Sequence, residues 1–149
     1  MKTRVYILAP FDDVAAAQAL AERLTAAGVD VISAWHKIDD PTMPADDHVR
    51  AVFMAASCIQ IHAAHIIVAD LRCGRNAYVS SAIGYALGID RPVIWLHGVQ
   101  FSDKSNVFYH HPLVASTSSV DEAIELLCTV DRELAIPEIT QPMAKGAAS

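Results

Sequence analysis

The chain has 149 residues, 53% of them hydrophobic and 19% charged, with a mean hydropathy of +0.29. One domain with a real core is expected, and a disordered or linker-dominated protein is excluded. Eleven Lys and Arg against seventeen Asp and Glu leave a net charge of -6 with the basic residues scattered, which argues against nucleic-acid binding driven by phosphate contacts. The longest apolar stretches, such as Ile66 to Ala69 and Val93 to Leu96, are broken by Asp, Arg and His well short of the ~20 residues a membrane span requires. Met1 to Arg4 is basic, but Asp12 and Asp13 follow too soon for a signal-peptide core, and a cytoplasmic protein is expected. Cys58, Cys73 and Cys128 are odd in number and lack CxxC pairing, so reduced thiols are the default.

In chain order, Arg4 to Ala9 is a β-branched and aromatic run that Pro10 ends, as a buried strand would. Asp12 and Asp13 offer an N-cap for a helix over Val14 to Ala27, stopped by Gly28. Asp30 to Ser33 reads as a second strand, and His36 to Asp47, with Pro41 and Pro44, as a long polar loop. Asp46 or Asp47 caps a helix through Ala64, and His65 to Asp70 is the nearly all-apolar run of a central parallel strand. Leu71 to Asn76 is a loop, Ala77 to Leu87 a helix ending at Gly88, and Pro92 to Leu96 a fourth strand. A loop from His97 to His111 leads to a weak strand at Leu113 to Ala115. Ser119 to Glu122 then has the form of a capping box before a last helix to about Val130. Residues 1 to 130 form the α/β domain, and Asp131 to Ser149 reads as a flexible or partner-docked tail.

Alternating strands and helices imply a flavodoxin-like or Rossmann-like doubly wound parallel sheet of about five strands, with helices on both faces. Ligands of such sheets bind beyond the carboxyl ends of the strands. Ala9 to Asp13, Asp70 to Ser81 and His97 to Phe108 should therefore converge. Asp70 to Ser81 is the richest of these, with Arg72, Gly74, Arg75, Asn76, Ser80 and Ser81 at a helix start, where a phosphate or carboxylate fits. An ordinary polar loop with Asn76 as helix cap accounts for the same residues equally well. It is not a P-loop, because GxxxxGK[ST] is absent.

Cys58, His62 and His65 share a helical spacing, but His65 begins the strand and no HExxH is present, so structural histidines are the stronger reading and no metal is expected. His36, His110 and His111 read as loop residues. No G-x-S-x-G supports a Ser-His-Asp hydrolase.

Four stretches resemble the nucleoside 2-deoxyribosyltransferase family and its nucleotide N-glycosidase relatives. Val5 to Phe11 is similar to V-Y-L-A-G-P-F, with Ala9 at the usual glycine. Arg50 to Phe53, followed by Ile61 to Asp70, is similar to R-x-x-F, then D, then I-x-x-A-D-x-V-V-A-D. Ala82 to Leu87 with Arg91 to Ile94 is similar to E-I-G-Y-A-L and K-P-V-I, and Asn106 to Phe108 to an N-x-M segment that in the family reaches a neighbouring subunit's site.

The resemblance implies cleavage of the bond between sugar C1' and a nucleobase through a Glu nucleophile, with transfer to another base or to water. In this chain the nucleophile position is Ala82, Ser57 stands at a family aspartate, and Asn76 stands where transferases carry Asp and some nucleotide hydrolases Ser. A methyl group attacks nothing, so the chain as written is expected to be inactive. Three readings of Ala82 stay open: an introduced replacement in an otherwise intact site, a natural loss that leaves a nucleotide sensor, or a carboxylate supplied instead by Asp12 or Asp70.

The resemblance further implies that Tyr6, Leu8, Ala9 and Phe11 form the floor under base and sugar, with Phe11 and Trp35 against the base. Arg72, Arg75, Ser80 and Ser81 would hold a 5'-phosphate, which favours a nucleoside monophosphate as the small-molecule partner. Trp35 reads equally well as a buried structural residue and His36 as an exposed one. No cofactor is implied, and at least a homodimer is, with Asn106 and Phe108 acting in trans.

Overall fold

The computed structural model describes residues 2–37, 46–74, 76–98 and 107–134, with the backbone alone at 107–108 and 131–134. Five strands are β1 (Arg4–Leu8), β2 (Asp30–Val31), β3 (Ile66–Leu71), β4 (Val93–His97) and β5 (Val114–Thr117). Four α-helices are α1 (Val14–Ala26), α2 (Asp47–Ala63), α3 (Ala77–Gly88) and α4 (Val120–Leu134), and short 3-10 turns cover Phe11–Asp13, Trp35–Lys37 and Val107–His110. The strands form one parallel sheet in the order β2-β1-β3-β4-β5, with Leu8 beside Ala69 and Asp70 beside Leu96. This is the flavodoxin-like strand order expected of the doubly wound fold.

The apolar runs read as central strands are central. All of β3 is buried, including Asp70, as are Val5 to Leu8 of β1 and Val93 to Leu96 of β4. Right-handed crossovers place helices on both faces. Arg23 of α1 pairs with Asp121 of α4 on one face, and His62 of α2 hydrogen-bonds Tyr85 of α3 (2.7 Å) on the other. Among the described residues, no helix is long and apolar enough to cross a membrane.

The helix ends follow from their residues, with three corrections. Asp46 accepts the His48 and Val49 N–H groups (2.8 and 3.1 Å), and Asn76 Oδ1 accepts the Val79 N–H (3.0 Å). Gly28, at φ +91°, ends α1 while the Val29 N–H reaches back to the Leu24 carbonyl. Asp13 holds the N-cap position of α1 but makes no capping bond, because the Phe11–Asp13 turn already leads the backbone into the helix. At α4 only half of the capping box forms: the Glu122 N–H bonds Ser119 Oγ, while the Glu122 carboxylate accepts from the Thr117 hydroxyl. Thr117 Oγ1 also accepts the Ser119 N–H (3.0 Å), so it takes the place expected of Glu122. Helix α4 continues to Leu134, four residues beyond its expected end.

Candidate functional site

In the order 2-1-3-4-5 the chain leaves β1 toward one edge of the sheet and β3 toward the other, which opens a crevice above the carboxyl ends of these two strands. Four aromatic rings from four segments meet there. The Phe11 ring lies 5.4 Å from Trp35 and 5.1 Å from Phe53, both edge-on, and 4.8 Å from Tyr78 at a tilt of 33°. Trp35 is buried and its indole N–H donates to the Ile7 carbonyl (2.8 Å), which fixes the ring against the top of β1. Phe11, Phe53 and Tyr78 are half-buried, so the cluster is anchored below and open above.

Beneath the rings lies a layer of hydroxyls. Tyr6 is fully buried, and its Oη and that of Tyr78 lie near each other and near Ser57 without a well-formed hydrogen bond. Burial pushes the Tyr6 phenol far above its ordinary value, and the Tyr78 and Ser57 hydroxyls lie close enough to contribute. Tyr78 is pushed up for the same reason. Both phenols stay protonated at any physiological pH and remain donors. Buried hydroxyls without a well-formed bond are rare in folded proteins.

At the end of β3, buried Asp70 takes a two-pronged bond from Arg72, with Nε to Oδ1 at 2.8 Å and Nη2 to Oδ2 at 2.7 Å. That bond to Asp70 raises the Arg72 pKa further above its ordinary value. Both Asp70 oxygens are thus engaged. Gly74 follows at φ +121°, a left-handed conformation only glycine adopts freely. Partial desolvation, with the Asp13 and Asp70 carboxylates, pushes the Cys73 thiol up and makes it a poor nucleophile. Arg72→Ala leaves the Asp70 carboxylate buried without its cation, and a loss of about 1–3 kcal/mol in urea unfolding is expected.

Of the residues named from the sequence, Tyr6, Phe11, Trp35 and Ser57 gather at the crevice, and Leu8 and Ala9 are buried at the carboxyl end of β1. Ala82 lies on the inward face of α3 with Val79, Ile83 and Ala86, one turn after Tyr78. Asn76 caps α3, and Ser80 and Ser81 are exposed near its start. Arg75 and Asn106 lie outside the described residues, as does the side chain of Phe108. Phe53 and Tyr78 were not singled out as site residues. Phe53 stood in the R-x-x-F match and Tyr78 in the Asp70 to Ser81 segment, but only the packing of α2 and α3 joins them to Phe11.

His36 is a correction: the structure buries it, 2% exposed, where an exposed loop residue was expected. Ser33 Oγ accepts the Ile7 N–H (3.2 Å) and shares a second hydrogen bond with His36 Nε2 (3.0 Å). Burial, and after it the Lys37 charge, lowers the His36 pKa below its ordinary value. The unfolded chain therefore binds this proton more readily. The contribution of His36 to stability is complete above about pH 6.5 and is lost as pH falls from there toward the folded-state value. Urea midpoints at pH 7.5 and 5.5 should differ more for the parent chain than for His36→Gln; equal differences would remove His36 as the cause. His62 and His65 serve separate contacts, His62 with Tyr85 and His65 accepting the Arg4 N–H (3.1 Å).

No protein-family model matches the chain, and no curated protein matches it in sequence. Solved structures do match it in shape. A 2-deoxyribosyltransferase from the psychrotolerant bacterium Bacillus psychrosaccharolyticus aligns with a TM-score of 0.62 at 16% identity, over 82% of this chain and 90% of that one. A conserved protein from Enterococcus faecalis V583 aligns with a TM-score of 0.58 at 19% identity, over 87% of this chain and 99% of that one. The chain has a nucleoside 2-deoxyribosyltransferase-like fold.

Proposed function

We propose that this chain binds a nucleoside, with the 5'-monophosphate preferred, in the crevice above β1 and β3, in a site built for N-glycosidic-bond hydrolysis or transfer but lacking its nucleophile. The observation that carries this reading is the four-ring cluster at Phe11 above the phenols of Tyr6 and Tyr78, neither of which has a well-formed hydrogen bond. A flat apolar wall suits a base, and buried donors suit the hydroxyls of a sugar. The start of α3, with Ser80 and Ser81 exposed beside it, suits a phosphate, and Arg75 would add charge. Asp70 is committed to Arg72 and Ala82 carries no functional group, which favours binding without turnover. Asp12 stands exposed on the Phe11–Asp13 turn.

The second reading, a non-catalytic nucleotide sensor, uses the same pocket and differs only in whether a carboxylate at position 82 restores chemistry. A cytoplasmic setting fits the three free cysteines, and the reading includes assembly into a homodimer or larger homo-oligomer. Melting curves with a panel of ribo- and deoxyribonucleosides and their 5'-monophosphates test the site. A monophosphate at 100 times its Kd adds about 2.7 kcal/mol, a rise of about 5–10 °C for a chain of this size. If no member of the panel moves the melting temperature, the site is not a nucleoside site.

A further inference from the structure

We propose that the segment after α4, Ala135 to Met143, folds back on its own domain and lays Ile136 and Ile139 in an apolar groove at the amino ends of β3, β4 and β5. The groove, of about 250 Å³, is walled by Ile66, Val93, Leu113 and Val114 at the starts of these strands and by Leu126 and Val130 of α4. Every residue that lines it is apolar, and Leu113, Val114, Leu126 and Val130 are only half-buried. Strand β5 is the outer strand, paired with β4, and folded proteins commonly cover such an edge with a loop or helix. The groove lies at the end of the sheet opposite the ring cluster, so the proposal does not depend on the nucleoside reading.

The chain delivers its own cover to this place. Helix α4 starts beyond the carboxyl end of β5 and runs back along the sheet, ending at Leu134, one turn after Val130 at the groove. The residues that follow, Ala-Ile-Pro-Glu-Ile-Thr-Gln-Pro-Met, carry a single charge, on Glu138. Segments left in water are usually richer in charge and poorer in large aliphatic side chains. Pro137 disfavours the helical backbone at Ile136, which ends the helix before it. Pro137 and Pro142 also favour the polyproline conformation, with three residues per turn. At that period Ile136, Ile139 and Pro142 fall on one side, the two isoleucines about 9 Å apart, and Glu138 falls on another. The chain from Leu134 to Ile139 reaches up to about 17 Å, enough to pass back beyond Val130.

Other occupants fit less well. A small ligand needs polar groups to orient it and a cavity of about 300–1,000 Å³, and this groove offers neither. A peptide of another protein would have to displace a segment that its short tether holds at an effective concentration on the order of millimolar.

Thermal melting of the full chain and its variants tests the contact. Ile136→Ser with Ile139→Ser should lower the melting temperature by about 5 °C and raise the fluorescence of an apolar dye at least about 2-fold, whereas Lys145→Ser should do neither. A double variant that melts with the parent and binds no more dye overturns the proposal. Cross-linking identifies the occupant. With Cys73 and Cys128 replaced by Ser, Ala115→Cys, exposed on β5 at the groove, and Ile139→Cys should be joined within one chain by a short bismaleimide. Neither single variant should form that bridge. A bridge found only between chains would give the groove to a second copy's segment and overturn the proposal, as would no bridge at all.

Discussion

Ala82→Glu should release free base from at least one nucleoside 5'-monophosphate, on the order of 10³-fold faster than the parent chain, which should release none that chromatography detects. Position 82 lies one turn beyond Tyr78 on the buried side of α3, so a carboxylate there would start from the helix that carries the Tyr78 ring of the cluster. A glutamate oxygen would attack C1' while the bond to the base breaks, the departing nitrogen taking the electron pair and then a proton. Water or a second base would then cleave the glycosyl ester. The two protonated phenols suit this role, since each donates and neither can compete as a nucleophile. Ala82→Gln is the control, because it has nearly the same volume and no nucleophilic oxygen anion. Release by Glu and not by Gln would make Ala82 the missing nucleophile position. A folded Ala82→Glu that binds a monophosphate and releases nothing would leave the sensor reading.

Where the information was local, the sequence was a good guide. The unbroken apolar runs at Ile66 to Ala69 and Val93 to Leu96 needed burial on both faces, and only the middle of a parallel sheet provides it. Asp46, Gly28 and Asn76 declared helix ends because their side chains or backbone freedom act within three residues. Strand β2 is shorter than expected because it is an edge strand paired only with β1. The backbone turns away after Ile32 so that Ser33 can serve Ile7 from its side chain. The same turn explains His36: a histidine three residues after a serine looked like part of a polar loop, yet the serine hydroxyl was the partner that allowed its burial. The site was half legible. Tyr6 and Phe11 sit next to a strand end that any parallel sheet would place at the crevice. Phe53 and Tyr78 reach it only because α2 and α3 pack over β1 and β3, a contact between residues far apart in the chain that no local pattern carries.

Tyr6 should separate stability from binding more sharply than any other position. Tyr6→Ala removes a fully buried ring from the centre of β1, and the lost contacts with the cavity left behind should cost about 3–5 kcal/mol in urea unfolding. Tyr6→Phe keeps the ring and deletes only the phenolic oxygen, which the free protein leaves without a well-formed bond. Removing a buried polar atom that has no well-formed bond should leave stability unchanged or raise it by about 1 kcal/mol, because its desolvation is no longer a burden on the folded state. The same deletion should weaken binding of the best monophosphate about 10-fold, since a ligand hydroxyl that met the phenol would then face a carbon. Opposite signs from one atom are the signature of a group held ready for a ligand. A Tyr6→Phe variant that loses stability would mean that the phenol already has a structural partner. One that gains stability and binds as before would mean that the ligand sits above the ring cluster and never reaches the hydroxyl layer.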